Sequence, residues 1–135
     1  MSLHHKIAAI ILKDKKLLMV RKENEPHFIM PGGRATGRDS KKDTLRRKLS
    51  DELNVRLVHM DPVPYGTWEA PHFRDEGKVV RMETYLVSIE GTPLKSGGIE
   101  QIAWITSAYK SQGITVASID EDYLIPKLLK QGLID

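Results

Sequence analysis

The stretch between residues 31 and 55 constrains the fold of this chain more than any other. It begins with Pro31 and the glycine pair Gly32-Gly33, which predict a loop. Leucines then recur at intervals of four residues. They are Leu45, Leu49 and Leu53. Because residues four apart share one face of an α-helix, this spacing predicts a helix over about Ser40–Leu53 with a buried stripe.

The ends of this helix carry their own signals. Asp39 or Ser40 can cap its first turn, and Asp43 lies near its positive N-terminal end. Asn54 follows the last leucine, and asparagine readily adopts the left-handed conformation that ends many helices. The helix is therefore predicted from local chemistry at both ends.

The remaining periodic segments predict strands around this helix. The apolar-rich runs Ile7–Leu12 and Lys16–Arg21 are separated by a polar turn and predict a β-hairpin. Two more strands are predicted over Val79–Ile89 and Ile99–Ile105, and a closing helix over about Ile119–Lys130. This order predicts an α/β (α+β) fold, with a mixed sheet and helices packed against it.

Length and composition place the chain among soluble globular proteins. It has 135 residues, 40% apolar and 29% charged, which predicts one domain over residues 1–135. The longest apolar run, Ile7–Leu12, is far shorter than the roughly 20 residues that cross a membrane. No signal-peptide pattern is present, so we expect a cytoplasmic protein. The chain has no cysteine, which excludes disulfides, zinc-thiolate sites and cysteine nucleophiles.

Positive charge is concentrated in one segment. Residues 34–48 contain seven lysines and arginines against two aspartates, whereas the whole chain has a net charge of only +3. Such an excess favours an anionic partner, and phosphate is the obvious candidate. A solvated helix face is the alternative explanation. Nucleic-acid binding is a weaker one, and it would show steep salt dependence.

Three charged residues lie on one flank of the predicted helix. At 100° per residue, Lys48, Asp51 and Glu52 fall beside the leucine stripe. Two carboxylates so placed can share Mg²⁺, which commonly takes one or two carboxylates and fills its other positions with water and phosphate oxygens. Gly32 and Gly33 would let the backbone approach the ion and its phosphates closely.

This combination resembles the Nudix signature, which reads Gly, five residues, Glu, seven residues, Arg-Glu-apolar-x-Glu-Glu-x-Gly-apolar. The match starts at Gly33. Its further positions are Asp39, Arg47, Lys48, Leu49, Asp51, Glu52, Asn54 and Val55. The opening hairpin, the tryptophan strand containing Trp104 and the C-terminal helix also look like this family.

The resemblance implies a Nudix fold, a mixed β-sheet sandwiched between α-helices, with the signature loop and helix at about residues 33–55. It implies metal-dependent cleavage of the phosphoanhydride of a nucleoside diphosphate linked to another group. Asp51 and Glu52 would hold Mg²⁺ or Mn²⁺, and Asp39 and Arg47 would support the loop and helix. The partner would be a small nucleoside diphosphate derivative, and the resemblance is compatible with a homodimer.

Lys48 departs from the signature, which has a carboxylate at this position. Its ammonium can swing into solvent, leaving a weakened metal site at Asp51 and Glu52 and slow hydrolysis. Alternatively the ammonium can contact a phosphate directly. The second case predicts a catalytically silent module that binds a nucleotide or another phosphorylated ligand.

Residues outside the helix complete the predicted site. Glu100, in the Gly-rich loop before the tryptophan strand, is the candidate general base. With Gly32, Gly33 and Lys48, Arg21 is a candidate phosphate-binding residue, although an ordinary surface cation is the alternative. The aromatic side chains between residues 65 and 73 either stack on a base or pack in the core. They are Tyr65, Trp68, His72 and Phe73.

Overall fold

A computed structural model of the chain describes residues 2–72 and 76–135. Phe73, one of the candidate stacking residues, lies outside these ranges. Within them the strands are β1 (Ser2–Ile10), β2 (Leu12–Lys13), β3 (Lys16–Lys22), β4 (Gly32–Arg34), β5 (Arg56–Met60), β6 (Gly66–Pro71), β7 (Lys78–Glu90) and β8 (Ile99–Ile105). The helices are α1 (Lys41–Leu53) and α2 (Ile125–Lys130), with a 3₁₀ turn at Tyr109–Gln112 and a π-helical turn at Asp120–Leu124 directly before α2.

The strands form two sheets of different size. In the larger sheet the order is β4-β1-β7-β5, and β6 also pairs with β7. β1 runs parallel to β7, whereas its pairing with β4 is antiparallel. The smaller sheet has the order β2-β3-β8 and is antiparallel. The predicted α+β fold with a mixed sheet is confirmed.

Apolar side chains cover both faces of the sheets. Along β1, Ile7 and Ala9 pack with the leucine stripe of α1, while Ala8 and Ile10 pack with residues of the C-terminal helical segment. Successive side chains of a strand point to opposite faces, so an unbroken apolar run indicates a strand buried on both sides. The sheets therefore lie between helices, as predicted.

The predicted hairpin exists only at its tip. β2 and β3 pair through Leu12 and Leu17 around a tight turn, in which Asp14 and Lys15 have φ of 52° and 58°. Before that turn the chain changes sheets near Ile11, so β1 pairs with β7 and β4, and β3 pairs with β8. The prediction of one continuous hairpin is wrong because long-range pairing with later strands replaces it.

α1 forms as the sequence predicts. The Ser40 hydroxyl accepts a hydrogen bond of 3.0 Å from the Asp43 backbone N–H, so Ser40 is the N-cap and the helix starts one residue later. Asn54 ends the helix with φ 55° and ψ 40°. The three stripe leucines are fully buried. The cap, the leucine stripe and Asn54 together determine the start, the buried face and the end of the helix.

The C-terminal helical segment is interrupted near its start. Ser118 and Ile119 are α-helical, a π-helical turn covers Asp120–Leu124, and α-helix resumes at Ile125, next to Pro126. Proline has no backbone N–H for the regular hydrogen bond to the residue four positions earlier, which accounts for the interruption before it. No helix in the described parts of the chain is long and apolar enough to cross a membrane.

Candidate functional site

The glycine pair belongs to a strand. Gly32 and Gly33 lie in β4, opposite Ala8 and Ile7 of β1, so the prediction of a loop at this position is wrong. A β-carbon on Gly32 would lie 2.1 Å from the Ile7 carbonyl oxygen. Glycine is therefore needed here because the two backbones approach too closely for any side chain.

Gly33 provides space for Lys48 of α1. A β-carbon on Gly33 would lie 2.6 Å from Lys48 Cγ and 2.9 Å from Lys48 Cε. The aliphatic stem of Lys48 thus crosses the backbone of β4, and the side chain lines a cavity next to it. The lysine is half-buried at this position and does not swing into bulk solvent.

Glu52 lies one helical turn after Lys48 and is 4% exposed. Its Oε1 is buried and has no hydrogen-bond partner among the described residues. Its Oε2 lies 4.0 Å from the ammonium of Lys22 at the end of β3. A buried carboxylate oxygen without a partner is costly unless a cation or a donor satisfies it. Glu52 is therefore the strongest candidate for a cation ligand in this part of the fold.

The C-terminal end of α1 is hydrogen-bonded to the loop before β8. The backbone N–H of Ser96 donates to the Glu52 carbonyl at 3.1 Å, and that of Leu94 donates to the Leu53 carbonyl at 2.9 Å. The Ser96 hydroxyl donates to the Asp51 carbonyl at 2.5 Å. These bonds satisfy carbonyls that a helix end leaves unpaired. They hold Glu52 and the exposed Asp51 in fixed positions.

A cavity of about 320 Å³ lies between β4 and the C-terminal helical segment. Asp51 and Glu52 do not line it, but Lys22, which does, has its ammonium 4.0 Å from Glu52 Oε2. Of the four predicted phosphate-binding residues, Gly32, Gly33 and Lys48 line the cavity and Arg21 does not.

The cavity is also lined by five charged residues to which the sequence analysis gave no individual role. They are Lys6, Lys22, Glu25, Arg34 and Asp120. The alternation of β1 contained a signal for Lys6, because it continues the set of Ala8 and Ile10 on one face of the strand. β3 is buried on both faces, so alternation does not distinguish Lys22 from Arg21.

Lys6 and Asp120 bring opposite charges to the cavity, where Asp120 is buried and Lys6 is half-buried. Lys6 Nζ donates to the Met30 carbonyl at 2.6 Å. Burial lowers the pKa of Lys6 to about 8, although Asp120 and Glu52 favour its charged form. Burial raises the pKa of Asp120 to about 7 against the opposing effect of Lys6. Burial thus favours the protonated form of Asp120, and its Oδ1 has no hydrogen-bond partner among the described residues.

Arg21 and Glu100 contact each other across the smaller sheet. Arg21 Nη1 lies 3.3 Å from Glu100 Oε2, and the guanidinium also donates to Gln101 Oε1 and the Glu25 carbonyl. Glu100 belongs to β8, so its placement in the preceding loop is wrong. The register of β3 and β8 shifts between Arg21 and Lys22, and such a bulge changes where side chains point. Lys22, rather than Arg21, lines the cavity.

Arg47 and Asp39 connect α1 to the segment before it. Arg47 Nη1 lies 3.2 Å from Asp39 Oδ2. Two more cations of the basic segment are also paired, Lys41 with Glu83 and Arg46 with a nearby aspartate of α1. Part of the basic charge is therefore neutralised within the fold, which weakens the case for a nucleic-acid surface.

The aromatic candidates pack against the C-terminal helical segment. The rings of Trp68 and Tyr123 stack with their centroids 6.2 Å apart. Lys127 Nζ lies 4.3 Å from the centroid of the Tyr65 ring and donates to the Tyr65 carbonyl. His72 lines the cavity. The observed contacts of Trp68 and Tyr65 correspond to the packing alternative rather than to an open stacking platform.

The residues present fit a divalent ion held by few protein ligands. Within residues 2–72 and 76–135, no group of three or more histidine, aspartate or glutamate side chains is placed to hold a metal. Mg²⁺, however, commonly binds one or two carboxylates and completes its shell with water and phosphate oxygens. The unpartnered Oε1 of Glu52 offers one such carboxylate oxygen, and the exposed Asp51 precedes it in α1.

Comparisons with known proteins identify the family and the fold. The NUDIX domain family matches residues 3–108. The Escherichia coli ORF135 protein is 19% identical, with a TM-score of 0.72 over 96% of this chain and 92% of that one.

A structure from work on MutT of Aliivibrio salmonicida and Vibrio cholerae is 16% identical, with a TM-score of 0.71 over 96% of this chain and 99% of that one. A MutT Nudix hydrolase from Burkholderia pseudomallei is 17% identical, with a TM-score of 0.66 over 78% and 84%. No curated protein matches the chain.

Proposed function

The chain belongs to the NUDIX domain family, and on that premise we propose that it hydrolyses the phosphoanhydride of a nucleoside diphosphate linked to another group. The observation that carries this proposal is the buried, unpartnered Oε1 of Glu52, one helical turn after Lys48, which lines a cavity together with Gly33. A cavity of about 320 Å³ lies within the range of small-molecule sites. Its lining is suited to an anionic ligand.

Each residue has a proposed role. Glu52 and Asp51 would hold Mg²⁺ or Mn²⁺, and such an ion would neutralise phosphate charge and activate water. Gly32 and Gly33 let the backbone of β4 lie close to the ligand. Glu100 is the proposed general base, and Arg21 would orient its carboxylate through their contact of 3.3 Å.

The second candidate is a module that binds a phosphorylated ligand and does not cleave it. Two observations favour it. Lys48 occupies the position where the family signature has a carboxylate, and the ammonium of Lys22 lies 4.0 Å from Glu52. Both cations oppose a divalent ion at Glu52 by charge repulsion. The same geometry would retain affinity for phosphate.

Phosphate release over a panel of nucleoside triphosphates, diphosphate-linked sugars and dinucleotides, with and without Mg²⁺ or Mn²⁺, tests the first candidate. Glu52→Gln keeps the shape and removes the charge, and it should abolish metal-dependent turnover. Glu90→Gln changes an exposed glutamate paired only at the surface with Arg56, and it should not alter turnover. Equal rates in native protein and Glu52→Gln would reject the assignment.

Lys48→Glu distinguishes the two candidates. Turnover in the native protein supports the hydrolase and makes Glu100 the next residue to replace. Turnover in Lys48→Glu alone would identify the native chain as a binding module on a hydrolase fold. Absence of turnover in both, together with nucleotide binding by calorimetry, would also favour the module.

A further inference from the structure

The cavity has an excess of positive charge. Its cationic lining residues are Lys6, Lys22, Arg34 and Lys48, and its carboxylates are Glu25 and Asp120. Burial raises the pKa of Asp120 to about 7, so this carboxylate contributes less than a full negative charge at neutral pH. The cavity therefore attracts an anion before any metal ion is bound.

Lys48 is held in place as part of this lining. Its stem lies across Gly33, where a β-carbon would come within 2.6 Å of Cγ. A long side chain that already packs along a backbone loses less conformational freedom when its ammonium binds a ligand. Lys48 is thus ordered for binding in the unliganded protein.

Lys22, the last residue of β3, also lines the cavity. Its ammonium lies 4.0 Å from Glu52 Oε2, which is close enough for attraction but too long for a hydrogen bond. An ammonium has three donors, and half of the Lys22 side chain is exposed. Lys22 can therefore donate to a phosphate oxygen while the charge of Glu52 attracts it to this side of the cavity.

Lys6 has a different role in the cavity. It is half-buried, its Nζ donates to the Met30 carbonyl at 2.6 Å, and burial lowers its pKa to about 8. Asp120 has a larger effect than Glu52 in favouring its charged form. Besides Arg34, which is exposed at the end of β4, the cations available for a diphosphate between β4 and α1 are therefore Lys22 and Lys48.

We propose that Lys22 and Lys48 form a fixed pair of cations that binds the diphosphate group of the ligand directly, without a divalent ion. This inference rests on the proposed function, because it assumes that the cavity takes a phosphoanhydride. It goes beyond that function by assigning binding of the diphosphate and its cleavage to different groups. The lysines supply binding, and the metal is needed only for cleavage.

Calorimetry with inorganic pyrophosphate in the presence of EDTA tests the pair. Native protein should bind without metal, and Lys22→Met and Lys48→Met should each lose about tenfold or more in affinity, as expected for a charge-assisted hydrogen bond. Lys42→Met removes an equal charge from an exposed position of α1 and should bind like the native protein. Thermal unfolding of each variant identifies loss of the fold.

The outcomes separate this inference from the proposed function. Pyrophosphate binding that requires Mg²⁺, or native affinity in both lysine variants, would overturn the lysine pair even if the protein hydrolyses nucleotides. Equal losses in Lys42→Met and the two site variants would assign binding to the general charge of α1 and would also overturn it. Metal-free binding without turnover would leave the pair intact and reject the hydrolase.

Discussion

Lys48 of α1 lies across Gly33 of β4, so a β-carbon on the glycine would meet the lysine stem at 2.6 Å. The glycine of the family signature thus has a second role in this chain, because its missing side chain makes room for a cation at the phosphate cavity. The two residues come from different elements, and the residue at each position limits the size of side chain that fits at the other.

Gly33→Ala should displace Lys48 and lower the affinity for pyrophosphate in EDTA about tenfold, as loss of one charged contact would. Gly33 does not have positive φ, so stability should change little. In a Lys48→Ala background the same change should have no further effect, since the clash is gone. Additive losses in that cycle would show that Gly33 acts independently of Lys48.

Gly32→Ala should instead destabilise the fold. A β-carbon there would lie 2.1 Å from the Ile7 carbonyl oxygen, and Gly32 has a φ of 154° that other residues rarely adopt. We expect a loss of about 3 kcal/mol or more in the free energy of unfolding. Urea denaturation measures it, and near-native stability would contradict the close approach of β4 to β1.

Glu83→Gln should destabilise the junction of α1 with the larger sheet. The Glu83 carboxylate accepts from Lys41 Nζ at 2.6 Å and Tyr85 OH at 2.7 Å, and His5 Nε2 lies 2.8 Å away. We expect a loss of about 1–3 kcal/mol in the free energy of unfolding at pH 7, because the buried Tyr85 hydroxyl and two less buried donors would lose a charged acceptor.

The pH dependence gives a second readout for Glu83. Burial acts to raise its pKa, but hydrogen bonds from Lys41, Tyr85 and His5 outweigh it and hold the pKa below the ordinary value of 4.5. The stabilisation is therefore present above pH 4.5 and is lost as the pH falls through the lowered pKa. The stability difference between native protein and Glu83→Gln should shrink in acid, and a constant difference would contradict this assignment.

Asp120→Asn should change the pH dependence in the opposite direction. The pKa of Asp120 rises on folding from 3.8 to about 7, so the folded state holds the proton more tightly. Stability should then fall as the pH rises from about 4 to 7, by up to about 1.4 kcal/mol per pH unit. In urea denaturation across that range, the stability of the native protein should decline and that of Asp120→Asn should not. Parallel stability curves for the two proteins would mean that Asp120 is charged throughout and would contradict the raised pKa.

Ser40→Ala should shorten or weaken the start of α1. The Ser40 hydroxyl accepts the Asp43 N–H at 3.0 Å, and loss of such a cap costs about 1 kcal/mol. Ser50→Ala changes an exposed serine inside the same helix and is a matched control that should cost less. Equal effects of the two changes would show that the cap contributes no stability.

The sequence by itself determined the local parts of this structure. The leucine stripe, the Ser40 cap and Asn54 specify α1 through interactions between residues close in the chain, and the strand over Ile99–Ile105 has the predicted bounds. The family signature predicted the fold as a whole. These features follow from periodicity and helix-end chemistry, which a single sequence contains.

Only the tertiary structure decided which side chains meet. The contact of Lys48 with Gly33, the approach of Lys22 to Glu52 and the pairing of Arg21 with Glu100 all depend on how distant segments pack. The bulge between β3 and β8 and the change of sheets near Ile11 set that packing. Pairing between distant strands depends on register and long-range contacts, and local patterns do not specify it.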